Sequence, residues 1–155
     1  MSSRPGYSER LGVPLRWWVQ GTMLVATLWL AVAVALPPAA AWVITAIAMA
    51  VLVGLLWAYG AARITVDGDT FRAGRAHIAA SYVGAAVPLD PDETRRTAGR
   101  DADARAYLLL RPYLKRAVRV EITDPADPAP YWLISTRRPD ELATALAALT
   151  GATGK

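Results

Sequence analysis

Hydrophobic and polar positions divide this chain into two regimes. From Trp17 through Ala62 there is no Asp, Glu, Lys or Arg, a run about twice the ~20 apolar residues that cross a bilayer as one helix. Pro37 and Pro38 fall near its middle, within "ALPPAAAW". Prolines cannot donate a backbone hydrogen bond and bias the preceding residue away from helix. The run therefore predicts two antiparallel membrane helices, residues 17–36 and 40–62, joined by a turn at 37–39. At about 1.5 Å per residue each covers the ~30 Å hydrocarbon core. Cleavage of a signal peptide at Ala39–Ala41 is the competing reading, but the apolar core is too long for one and a second apolar segment would remain. A single kinked span would leave roughly 20 apolar residues outside the lipid at a large hydrophobic cost.

Beyond Ala62 the period shortens to two. "ARITVDGDTFRAG" sets Ile64 and Val66 before Asp-Gly and Thr70 and Phe71 after it, a hairpin signal. "SYVGAAVPLD" alternates Val83, Ala85, Val87 and Leu89 on one predicted face. A buried-type run follows at 107–110, then Val118, Val120 and Ile122 alternate with Arg119 and Glu121, and "YWLIS" makes the last strand after the turn "DPADPAP". The segment "DPDETRRTAGRDADARA" has no apolar period and reads as a solvated connection with one short helix from Pro91 to Thr97. A C-terminal helix is signalled by Pro139 in its first turn, Asp140 and Glu141 at its positive end and Gly151 as its stop, with Leu142, Ala145, Leu146 and Leu149 on one face. The expected fold is a membrane protein of α+β class: a two-helix hairpin, then a small antiparallel β-barrel or sandwich of pleckstrin-homology (PH)-like order closed by one helix. Its divisions are an N-terminal segment (1–16), the hairpin (17–62), the folded domain (63–150) and a flexible tail (151–155), with mobility at the N-terminus expected as far as about residue 8.

Composition sharpens this picture in two places. The chain is 54% hydrophobic with a mean hydropathy of +0.25, high for a soluble domain, and the excess lies in the spans. Cysteine is absent, which suits a cytoplasmic domain and excludes thiolate chemistry. The net charge of +4 does not mark a nucleic-acid domain, because basic and acidic residues nearly balance after residue 62. Arg4, Arg10 and Arg16 precede the first span and Arg63 follows the second, while the turn is uncharged. The positive-inside rule then puts both termini in the cytoplasm and the protein, as a multi-pass chain, in the inner cell membrane. Trp17, Trp18, Trp57 and Tyr59 are placed as anchors at one interface and Trp42 at the other, with Trp29 deeper.

The matching stretches "WW", "ARITVDGDTFRAG", "DARAYLLLRPYLKRAVRVEITDP" and "YWLISTRRPDELATAL" carry a resemblance. The chain resembles an uncharacterised actinobacterial domain-of-unknown-function family of small membrane proteins, with two N-terminal spans before a PH-like cytoplasmic domain. The resemblance implies that architecture and brings no activity, cofactor or catalytic residue.

The residues themselves point away from catalysis. His77 is the sole histidine and, without cysteine, makes no zinc set. Asp90, Asp92, Glu93, Asp101 and Asp103 alternate with Arg95, Arg96, Arg100 and Arg105, which reads as a self-neutralised loop more simply than as a magnesium site. Ser81 and Ser135 lack a nucleophile context. The spans offer only Gln20, Thr22, Thr27 and Thr45, too little polar material for a transport pathway. No enzyme, metal or cofactor is therefore expected. Binding has one candidate surface: Arg111, Lys115, Arg116 and Arg119 around "RPYLKRAVR", with Arg137 and Arg138 at the start of the last helix. Toward anionic lipid each can contribute about 1 kcal/mol; as ordinary surface arginines paired with the acidic loop they contribute little. The expected partners are the lipid bilayer and an unidentified protein or a second copy, and no nucleic acid. Two functions compete: a membrane-anchored module whose domain binds a protein or anionic lipid, and an accessory subunit of an envelope transport or synthesis complex whose spans make the contacts.

Overall fold

The computed structural model describes residues 6–153, so Arg4 lies outside the described residues. The chain divides into two compact units, Gly12–Ala61 and the remainder on either side of it. The first is a helical hairpin inserted into the second, an α+β fold.

The hairpin consists of α1 (Leu15–Ala35) and α2 (Pro38–Gly60). The turn is Leu36–Pro37, tighter than the expected 37–39, because Pro38 opens α2 from its first turn, where a missing N–H costs nothing. The hydroxyls of Thr22, Thr27 and Thr45 each donate to the carbonyl four residues earlier, so they are satisfied within their own helices. Gly21 allows the closest approach: a Cβ there would stand 2.7 Å from Leu52 Cδ1. Both helices are long and apolar enough to cross a membrane.

Strand β1 (Tyr7–Arg10) precedes the hairpin and β2 (Arg63–Asp67) follows it; they pair antiparallel, Arg10 opposite Arg63. Leu11 N–H donates to the Ala62 carbonyl at 2.9 Å, so the chain leaves and re-enters this unit at adjacent points. Tyr7–Arg10, expected in an N-terminal segment apart from the 63–150 domain, thus pairs with that domain's first strand; residues 1–5 of the segment expected to be mobile to about residue 8 lie outside the described residues. Strands β3 (Thr70–Ala73) and β4 (Ala76–Ala79) complete a meander ordered β1-β2-β3-β4. Its two tight turns place Gly68 (φ 57°) and Gly74 (φ 62°) first of two loop residues. No non-glycine residue has positive φ among the described residues, which is the type II′ pattern that matches strand twist.

A 3-10 turn at Ala80–Tyr82 leads to β5 (Val83–Leu89), then α3 (Pro91–Ala98), β6 (Tyr107–Leu109), β7 (Ala117–Ile122), β8 (Tyr131–Ser135) and α4 (Pro139–Thr153). The second sheet is ordered β5-β7-β8-β6, and β6 runs parallel to β8. The expected all-antiparallel sheet is thus mixed. The expected face of Val83, Ala85, Val87 and Leu89 is also broken: a bulge between Val83 and Ala86 shifts the register, and an extra residue reverses which side chains face inward. Val83 and Ala86 join the main core, Leu89 joins the opposite face and Val87 is exposed. Helix α4 continues past Gly151 to Thr153, so neither the stop nor the start of the tail lies where expected.

The main core gathers Ile64, Val66, Phe71 and Ile78 of the first sheet, Val118, Val120, Trp132 and Ile134 of the second, and Leu142, Leu146 and Leu149 of α4. A smaller cluster on the other face of the second sheet joins Ala117, Tyr131 and Leu133 to Leu89, Ala98, Ala106 and Leu110. All five residues of β8 are buried because both of its faces are covered.

Candidate functional site

Alternation along β1 sends Ser8 and Arg10 outward and turns Tyr7 and Glu9 toward the core. Glu9 is only 6% exposed and is the one buried charged side chain among the described residues. Three donors converge on its carboxylate: the Tyr7 hydroxyl at 2.6 Å, the Arg137 backbone N–H at 3.0 Å and the Thr136 hydroxyl in a short contact. Thr136 Oγ1 accepts the Arg138 N–H at 3.0 Å. Arg138 lies over the Tyr7 ring, 5.3 Å from its centroid, and pairs with Glu141 at 2.9 Å. Burial, reinforced by the Glu9 hydrogen bond, pushes the Tyr7 hydroxyl up to about 12. Such a carboxylate clips β1 to the entrance of α4; a buried charge is retained only where it is paired and hydrogen-bonded. Sequence reading missed this network because its partners lie more than a hundred residues apart. The available signal was the inward parity of a glutamate in "YSER".

Of the expected basic cluster, Arg111, Lys115 and Arg116 lie in a loop beside Arg137 and Arg138, and Arg119 lies apart. Arg111 donates its backbone N–H to Ser135 Oγ at 3.1 Å, and the Arg116 carbonyl accepts from Thr136 N–H at 3.2 Å. These bonds bring the 111–116 loop beside 135–138, with Lys115 and Arg116 exposed. Arg137 donates to the Arg10 carbonyl at 3.1 Å. Arg119 stands apart on β7, its guanidinium 4.4 Å from the centre of the Tyr131 ring, a cation–π contact on the smaller core's side. The acidic segment neutralises itself through Asp92–Arg95, Asp101–Arg100 and Asp103–Arg105. Hydrogen bonds from Arg105 hold the Asp103 carboxyl below the usual carboxylate range. No cluster of three metal-ligating side chains exists among the described residues, and His77 is exposed on β4.

Within the hairpin, Trp17 stacks on Tyr59 at 6.2 Å, and Trp29 packs on Trp42 at 5.5 Å. Trp29 therefore belongs with Trp42 at the turn end rather than standing apart. Trp18 is half-buried and Trp57 exposed. An apolar groove of about 610 Å³ runs between the helices, bounded by Gly21, Leu24, Leu28, Ala31, Ala48 and Leu55 among others.

These features define a class: an α+β domain split by a long apolar hairpin, with a structural carboxylate clip. The chain belongs to the family described as "Protein of unknown function (DUF3093)", whose model matches residues 6–146. No curated protein and no solved structure matches it significantly.

Proposed function

We propose that the hairpin spans the cytoplasmic membrane with both termini inside, and that the α+β unit is a binding module held at the inner face, acting without turnover on a protein partner or anionic lipid. The apolar surface of the helices carries this reading. Leu24 is 72% exposed and Val34 90% exposed, a burden that soluble monomers do not carry and that hydrocarbon removes. Along α2 Trp42 and Tyr59 stand about 25 Å apart at helical rise, close to the spacing of interfacial belts, while Trp29, about 18 Å from Trp17 along α1, packs on Trp42 from within the apolar layer. Arg10, Arg16 and Arg63 flank the ends opposite an uncharged turn, which favours the inward orientation. The strand order, a four-stranded meander followed by antiparallel β5, β7 and β8 and one helix, supports a PH-like reading, with β6 added at the edge. Glu9, saturated by its own donors, supports a structural rather than catalytic role.

The cysteine-free chain permits a direct test. Single cysteines at Ala39 and Ser81 are probed with an impermeant maleimide. Labelling of Ala39→Cys in intact cells and of Ser81→Cys only after permeabilisation is expected; the reverse pattern sinks the orientation.

The interhelical groove favours a second reading, in which the spans dock a membrane subunit of an envelope complex. Replacing the hairpin by an unrelated one separates the two. Retained cross-linking to the same partner supports the domain as binder, and its loss supports the spans.

A further inference from the structure

We propose that the outward face of the β1–β4 sheet is a site for anionic phospholipid headgroups, formed by Arg10, Arg63, Arg72 and Arg75 with Ser8 and Thr65. The inference rests on the membrane reading above and uses a surface distinct from the 111–119 and 137–138 arginines. Strand register builds it. Arg10 lies opposite Arg63, Thr65 opposite both Ser8 and Arg72, and Arg72 opposite His77. Directly opposed residues share a face, and this is the face turned away from Ile64, Val66, Phe71 and Ile78 in the core. Arg10, Arg63, Arg72, Arg75 and His77 are all exposed.

Charge is sorted along these strands. Gly74 N–H donates to the Arg63 carbonyl at 2.8 Å, so the turn carrying Arg75 lies beside Arg63, with Arg10 on the next strand across β2. Asp67 and Asp69 lie toward the other turn, away from Arg10, Arg63 and Arg75; Asp67 is diagonal to Arg72 on the same face. Among the described residues, Arg63, Arg72 and Arg75 make no ion pair, whereas Arg95, Arg100 and Arg105 each do.

Chain length supplies the source of the anion. Arg63 follows the end of α2 at Gly60, and Arg10 precedes the start of α1 at Leu15. At about 3.5 Å per extended residue, the arginines stand within roughly 10 Å and 17 Å of the helix ends. Once the hairpin is inserted, headgroup phosphates are within reach whatever the tilt of the domain. Guanidinium groups bind phosphate in bidentate geometry, and the Ser8 and Thr65 hydroxyls add donors.

The test uses the full chain with Ala79→Cys carrying a fluorophore, an exposed position on the same face outside the named set, in nanodiscs containing nitroxide-headgroup lipid. Quenching is expected to rise with phosphatidylglycerol and to stay low in pure phosphatidylcholine. Arg63→Gln, Arg72→Gln and Arg75→Gln together should weaken the response about five-fold per arginine, on the order of 100-fold in all. The same neutralisation at Arg95, Arg96 and Arg100 should leave it intact. Quenching indifferent to phosphatidylglycerol, or unchanged in the triple variant, overturns the proposal. So does a fluorescence response to inorganic phosphate in pure phosphatidylcholine nanodiscs at constant ionic strength with none to phosphatidylglycerol, which would assign the face to free anion. Carbonate-resistant flotation is measured on every sample. A chain that floats without lipid-dependent quenching defeats this inference alone, and one that fails to float defeats the membrane reading with it.

Discussion

Glu9 binds two distant parts of the chain at the cost of burying a charge. Its three donors come from β1 and from the backbone and side chain leading into α4. Removing the carboxylate takes the acceptor from the Arg137 N–H and leaves the Thr136 hydroxyl with only the Tyr7 hydroxyl, 3.2 Å away, as an acceptor. Glu9→Ala is therefore expected to lower unfolding stability by on the order of 3 kcal/mol, measured by chemical denaturation of the full chain in detergent. Tyr7→Phe removes a single donor from the same carboxylate, and about 1–2 kcal/mol is expected. This tyrosine also gives the clip a pH signature. The Tyr7 hydroxyl ionises near 12 in the folded protein, against an ordinary value of 10.0. Its contribution is complete below pH 10 and is lost as pH rises through about 12, because the unfolded chain releases the proton first. The alkaline limb of stability should be shallower in Tyr7→Phe than in the parent, and equal slopes would place the shift elsewhere.

Among the elements, the two II′ turns offer a controlled comparison. Gly68 and Gly74 share a positive φ, but a Cβ at Gly68 meets nothing, while one at Gly74 meets Leu109 Cδ1 at 3.3 Å and Tyr107 Oη at 3.4 Å. Gly68→Ala is expected to cost about 1–2 kcal/mol from backbone conformation alone. Gly74→Ala should cost on the order of 1 kcal/mol more, since β6 must yield and the 3.1 Å bond from Tyr107 to the Ala73 carbonyl is disturbed. Thermal unfolding of the two variants decides whether the difference exists. Elements whose causes are local were legible in the sequence. Asp-Gly marked the first hairpin, Asp90 caps α3 with Glu93 in a reciprocal capping box, and Leu142, Leu146 and Leu149 marked the buried side of α4. Elements with distant causes were not. Nothing local to "YLLL" distinguishes a parallel edge beside β8 from an antiparallel one. The bulge after Val83 depends on β7, since a Cβ on Gly84 would approach Glu121 Cβ to 3.1 Å. The candidate surfaces divide in the same way: arginines near one another in sequence were visible as a cluster, whereas Arg10 meets Arg63 only through pairing across the inserted hairpin.

For the whole molecule, the insertion makes a prediction that the order of elements along the chain conceals. An N-terminal hairpin followed by a domain would fold as two consecutive pieces. Here β1 must wait for the entire hairpin before it can meet β2, and its place in the sheet is held by four opposed residue pairs and the Glu9 clip. The junction is nonetheless closed within the α+β unit itself, by the bond from Leu11 to Ala62 at 2.9 Å and by the Tyr113 hydroxyl on the Leu11 carbonyl at 2.7 Å. A two-residue Asn-Gly turn joins antiparallel strands in this geometry. Replacing Gly12–Ala61 with that turn converts a long-range pairing into a local hairpin and lowers the entropic cost of closing the sheet. The shortened chain is expected to be soluble without detergent, to unfold cooperatively and to lose Tyr7-dependent stability on Glu9→Ala. Aggregation or non-cooperative melting would show instead that the hairpin is needed to complete the α+β core. A folded product would make the α+β unit separable from the hairpin and allow the proposed binding to be measured without it.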